Sequence, residues 1–159
     1  MQDAAFGQAA KFNSDVGFNL AVSEDKQAFT ANFSGLEVVL EGKSAPPIAT
    51  CVFSFSIPLS GADPGKEIPF SVSGFAFSEK EANAHLLFSV NNQTSVMDFP
   101  ANSNSSFIQQ LKYKPECAAE ARITVFLLAD RDSTSDSAVH VTVNAIDTDL
   151  AIAGSKKPS

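Results

Sequence analysis

The sequence predicts an all-β fold, a two-sheet antiparallel β-sandwich of about nine or ten strands. Three observations predict it. Apolar and small polar residues alternate at a period of two along most of the chain, the repeat that sends successive side chains to opposite faces of a strand. Clusters of Gly, Pro, Asn, Asp and Ser break that alternation at regular intervals. The apolar set favours strands, with 14 Phe against one Tyr and no Trp, and no segment carries a helical repeat long enough for a packed helix.

Taken in order, residues 1–17 are weakly patterned and read as an extended lead-in. Residues 18–22 and 28–33 alternate around the polar turn Ser23-Glu24-Asp25-Lys26 and read as a hairpin. Residues 36–40 form a short apolar strand, and the Pro46-Pro47 pair after it cannot donate to a ladder. Residues 50–59 are the strand around which the rest is organised. Cys51, Phe53, Phe55 and Ile57 share its inward parity, Ser54 and Ser56 its outward one, and Pro58 ends it or marks an edge.

Residues 67–77 form a long strand with Ile68, Phe70 and Val72 on one side and Phe75 and Phe77 on the other parity. A bulge at Gly74 is expected to return both phenylalanines to the core. Leu86, Phe88 and Val90 face inward on the next strand, Asn91-Asn92 turns it into residues 95–99, and residues 107–113 follow. Residues 122–129 have the near-continuous apolar core of a central strand. After an acidic turn at 130–137, Val139, Val141 and Val143 face inward and His140, Thr142 and Asn144 outward. The sandwich domain is thus expected over 18–150, with a polar tail at 151–159.

A chain of 159 residues is long enough to bury one real core. Its net charge of −7 excludes a phosphate-binding field, and with it nucleic acid and anionic membrane surfaces, as partners. No apolar run approaches the roughly 20 residues that span a bilayer. An acidic surface rich in Ser, Asn and Thr, and an opening Met1-Gln2-Asp3-Ala4-Ala5 that looks like a start placed on a mature chain, point to a secreted or cell-surface protein. The two cysteines, Cys51 and Cys117, allow a disulfide, two buried thiols or half of a metal site. The absence of a Cys-x-x-Cys spacing disfavours zinc, and an oxidising compartment favours the disulfide. Closing that loop of about 66 residues is worth roughly 4 kcal/mol in the chain-entropy account.

Several short motifs together resemble one family. They are Phe29-x-x-x-Phe33-Ser34, Thr50-Cys51 opening a strand that ends at Pro58, Ser73-Gly74-Phe75-Ala76, Lys114-Pro115-Glu116-Cys117-Ala118 and Ile146-Asp147-Thr148-Asp149. In this order, over residues 18–150, they resemble the secreted fungal and bacterial proteins catalogued as domain-of-unknown-function family 4360. The chain departs from that pattern in its lack of further cysteines and in Phe75, where the family has Tyr. The resemblance implies secretion and a structural disulfide, with no known activity.

Three groups of residues are candidates for chemistry. Asp130, Asp132 and Asp136 place carboxylates at spacings suited to a Ca²⁺ loop, although Arg131 lies among them and the Gly and distal Glu of an EF-hand are missing. The ordinary alternative is a solvated hairpin turn. Asp147 and Asp149 share a parity and are candidates for an acidic patch, with solvation at a strand end the ordinary alternative. His85 and His140 sit at outward positions and, beside a carboxylate, would suit a hydrolase, yet no nucleophile elbow accompanies them. Glu37, Glu67, Glu79 and Glu81 offer carboxylates for glycoside hydrolysis without the Trp platform usual at sugar sites. Asn32, Asn92 and Asn104 head glycosylation sequons.

The expected function is therefore that of a secreted, non-enzymatic β-sandwich acting by binding, adhesion or extracellular assembly. Its expected partner is a protein or a surface polysaccharide, or a second copy joined through residues 36–40 or the lead-in. A small hydrolase using His85 or His140, and a Ca²⁺-dependent adhesion module, are the alternatives.

Overall fold

Alternation in the sequence becomes strands almost one for one. The computed structural model describes residues 16–42, 47–60, 66–115, 120–132 and 134–150, with the backbone alone at 5–6 and 10–11. Two two-residue pairings, β1 (Ala5–Phe6) and β2 (Ala10–Lys11), precede ten strands. These are β3 (Gly17–Val22), β4 (Ala28–Ser34), β5 (Glu37–Leu40), β6 (Ile48–Ser60), β7 (Ile68–Ser78), β8 (Ala82–Val90), β9 (Gln93–Phe99), β10 (Asn104–Tyr113), β11 (Glu120–Arg131) and β12 (Val139–Asp149). All pairings are antiparallel. The first sheet runs β1-β6-β11-β8-β9, with β2 also on β6; the second runs β10-β7-β12-β4-β3, with β5 also on β12. The predicted hairpins β3–β4 and β8–β9 form, and β11 is central, paired to β6 and β8 along nearly its whole length.

The two sheets enclose a core of aliphatic and aromatic side chains. Phe53, Phe55 and Ile57 of β6 face inward as expected, and so do Val139, Val141 and Val143 of β12. Rings from both sheets meet there: Phe18 packs on Phe33, Phe53 and Phe55 at centroid distances of 5.7, 5.3 and 4.9 Å, and Phe29 lies between Phe55 and Phe70. Each such side chain contributes about 1.5–3 kcal/mol of burial, so the phenylalanine content is in large part core.

Four expectations change. Residues 5–6 and 10–11 pair with β6, so part of the expected lead-in belongs to a sheet, and Pro58 falls between those two short pairings. The acidic turn joins β11 of the first sheet to β12 of the second, so it crosses the sandwich and is no hairpin. Arg131, expected in that turn as a surface residue, is buried, and its guanidinium donates to the carbonyls of Ser137 and Gly42 at 2.8 and 2.5 Å, tying two loops together.

Cys117 lies outside the described residues. Cys51 is half-buried on the core side of β6, opposite Leu127, and the expected Cys51–Cys117 disulfide therefore falls outside the described residues.

The fourth change concerns Gly74. The ladder between β7 and β10 runs through it without a break, Phe107 opposite Gly74 and Ser106 opposite Phe75. The irregularity lies in the other neighbour, β12, where the register with β7 shifts between Val143 and Ala145. Gly74 faces the core, and a Cβ there would lie 1.9 Å from the Thr142 carbonyl oxygen and 2.9 Å from the Phe107 ring. Only glycine fits where the bulged strand's backbone comes this close. Phe75 and Phe77 consequently stay on the outer face.

Candidate functional site

The outer face of the second sheet is built around β7. Period-two alternation from Ile68 to Ser78 points Pro69, Ser71, Ser73, Phe75 and Phe77 away from the core. Phe75 is 40% exposed, an aromatic side chain partly open to water. It stands between Ser106 of β10 and Thr142 of β12, while Phe77 stands between Asn104 and His140. Toward the other end, Ser71 lies between Gln110 and Asp147, and Asp147 is opposite Thr30 of β4.

Two depressions sit at the ends of this row. One, of about 320 Å³, is lined by Thr30, Pro69, Ser71, Gln110, Asp147 and Asp149 among others. Thr30 Oγ1 donates to Asp147 Oδ1 at 2.6 Å, holding that carboxylate against β4. The second, of about 510 Å³, is lined by Phe77, Glu79, Lys80, Asn102, Asn104 and Asp136 among others. From Ser71 to Phe75 is about 13 Å along the strand. Hydroxyls, amides and carboxylates thus flank an open ring along one line, an arrangement suited to a long, hydroxylated ligand.

The outer face of the first sheet differs in kind. Val52, Phe126, Leu87 and Val96 form one apolar row across β6, β11, β8 and β9, with Val52 and Val96 about half exposed. The adjacent row carries His85. Its Nδ1 lies 2.8 Å from Asp98 Oδ1 and its Nε2 lies 3.5 Å from Asp130 Oδ2. With both ring nitrogens committed to carboxylates, the imidazole has no free nitrogen to activate a hydroxyl.

His140 meets the sequence expectation of a carboxylate and a hydroxyl nearby, but not in a relay. Glu37 Oε1 at 3.0 Å and Thr142 Oγ1 at 3.1 Å both approach the same Nε2. A triad needs the orienting carboxylate on one nitrogen and the nucleophile on the other. Among the described residues the geometry therefore assembles no Ser/Thr-His-acid relay at either histidine.

The three carboxylates expected to hold Ca²⁺ go separate ways. Asp130 pairs with His85 on the first sheet; Asp132 Oδ1 accepts from the Thr134 N–H and hydroxyl, each at 3.1 Å; Asp136 lines the second depression. Among the described residues no group of three or more His, Cys, Asp or Glu is arranged to hold a metal. Among the described residues the one carboxyl held clearly below its usual range, Asp25, is in the β3–β4 turn, where the Ser23 hydroxyl and then the Gln27 N–H donate to it.

Asp147 and Asp149 both line the first depression; the sequence alone does not single out Thr30, Ser71 or Gln110, and from it Phe75 and Phe77 are expected in the core. The missed signal was available: Ile68, Phe70, Val72 and Ala76 keep one parity straight through Gly74.

No family model matches the chain, and no curated protein matches it. Solved structures similar to it include TmCBM61 in complex with β-1,4-galactotriose, at 7% identity over 89% of this chain and 86% of that one, TM-score 0.39. Carbohydrate-binding module CBM36 in complex with calcium and xylotriose matches at 13% identity over 87% and 98%, TM-score 0.40. A family 11 carbohydrate-binding module from Clostridium thermocellum, in complex with a β-1,3-1,4-mixed-linked tetrasaccharide, matches at 10% over 89% and 87%, TM-score 0.26. At these values the similarities lend this chain no ligand.

Proposed function

We propose that this protein is a non-catalytic binding module that takes a polysaccharide along the outer face of β7. The observation that carries the reading is Phe75, an exposed ring on a regular strand between two depressions lined in part by polar side chains. An aromatic face accepts the apolar C–H side of a pyranose, and Ser71, Gln110, Asn104 and Asp147 offer donors and acceptors for its hydroxyls. The first sheet is the weaker candidate, because its row is largely aliphatic and its histidine is already paired. The acidic surface suits a neutral or basic glycan outside the cell or at its surface. Secretion and the resemblance to family 4360 belong to the same proposal.

The test is affinity electrophoresis and calorimetry against a panel of soluble polysaccharides, with wild type and Phe75→Ala. At least one polysaccharide should bind, and the substitution should weaken it about tenfold, roughly 1.4 kcal/mol. Thermal stability should be unchanged, since Phe75 is outside the core. Binding that is indifferent to Phe75→Ala, or absent across the panel, refutes the reading.

A further inference from the structure

The edge of the second sheet is open on the β10 side. Among the described residues β10 pairs only with β7, over ten consecutive positions from Asn104 to Tyr113 without a bulge. Such an edge leaves alternate N–H and C=O groups without ladder partners, and proteins ordinarily blunt it with proline, charge, bulges or brevity. β10 has no proline, no bulge and a single charged residue, Lys112. At its middle stands Ile108, 72% exposed, the most exposed large hydrophobic side chain among the described residues. The other edges are shorter or covered: β3 has six residues, β9 has seven and carries Asp98, and β6 is partly paired by β1 and β2.

We infer that β10 pairs antiparallel with β10 of a second copy, about a two-fold axis through Ile108. This register sets Ile108 against Ile108, Ser106 against Gln110 and Asn104 against Lys112. Each lysine therefore meets an asparagine rather than its own copy. An edge without acidic residues is also the place where two chains of net charge −7 can meet with least repulsion. The contact is isologous and closes after two copies, so no filament results.

Pairing of this kind makes one continuous sheet with both proposed ligand faces on the same side. Phe75 shares a row with Ser106, which then faces Gln110 and hence Ser71 and Asp147 of the other copy. The ring of one copy lies three strand spacings, about 14 Å, from the depression of the other. A polymer crossing the sheet would engage both, raising its apparent affinity through effective concentration. The dimer itself does not depend on that ligand reading.

Sedimentation velocity on the ligand-free protein separates the two questions. Wild type should show a monomer–dimer equilibrium that shifts toward dimer as concentration rises. Ile108→Lys should stay monomeric at the same concentrations with an unchanged melting temperature, because the side chain is exposed in the monomer. Ile108→Cys should give a 108–108 disulfide under mild oxidation, since directly opposed residues in an antiparallel pair lie within its reach. A wild type that remains monomeric at high concentration overturns the inference. So does a dimer that survives Ile108→Lys, or cross-linking that peptide mapping does not place at position 108. None of these outcomes bears on whether Phe75 binds a glycan.

Discussion

Asn91 ties the β8–β9 turn to both sheets, and its removal has a calculable cost. Its backbone is left-handed, φ 54°, where residues with a Cβ are strained by about 1 kcal/mol unless a short polar side chain bonds locally. Its Nδ2 donates to the Tyr113 hydroxyl at 2.6 Å and to the Glu120 carbonyl at 3.2 Å, and its Oδ1 accepts from the Arg122 N–H at 2.9 Å. Asn91→Ala removes all three bonds and keeps a Cβ in the left-handed conformation. At about 1 kcal/mol net per bond the loss is roughly 3 kcal/mol, and backbone strain brings it to roughly 4. Asn91→Gly removes the same bonds without the strain and should cost about 1 kcal/mol less than alanine. For a domain of this size the alanine variant should melt about 8–16 °C lower. Urea unfolding followed by the emission of Tyr113, the sole tyrosine in a chain without tryptophan, reports both values. If both variants unfold within about 0.5 kcal/mol of wild type, or glycine is the worse of the two, the account of this turn fails.

A further prediction concerns the core. Gly74→Ala should destabilise the protein by about 3 kcal/mol or fail to fold, because its Cβ meets the Thr142 carbonyl and the Phe107 ring; calorimetry showing an unchanged melting temperature would remove the close-approach argument.

The parts legible in the sequence were those set by single strands. Inward Phe53, Phe55 and Ile57, the two hairpins and the central β11 follow from alternation and turn residues alone. What was not legible depends on pairs of strands. The acidic turn reads as a hairpin because its residues are turn formers, and nothing local says that β11 and β12 enter different sheets. Arg131 reads as solvated among aspartates, yet it is drawn inward by carbonyls of two loops distant in sequence.

The bulge shows how such a pairing property reaches the candidate site. A break in parity was expected near Gly74 so that Phe75 and Phe77 could join the core. The break is instead on β12, where Val139, Val141 and Val143 face inward before it and Ile146, Thr148 and Leu150 after it. One extra residue, Asn144, reverses the parity. On an unbroken strand with His140 and Thr142 outward, Asp147 and Asp149 would point into the core, where unpaired carboxylates are costly. With the bulge they emerge on the same face as His140 and Thr142, and Asp147 reaches Thr30. Gly74 supplies the room for the displaced backbone and leaves β7 regular, which keeps Phe75 outside. A single glycine opposite a single extra residue thus sets both the open ring and the carboxylates beside it on one surface.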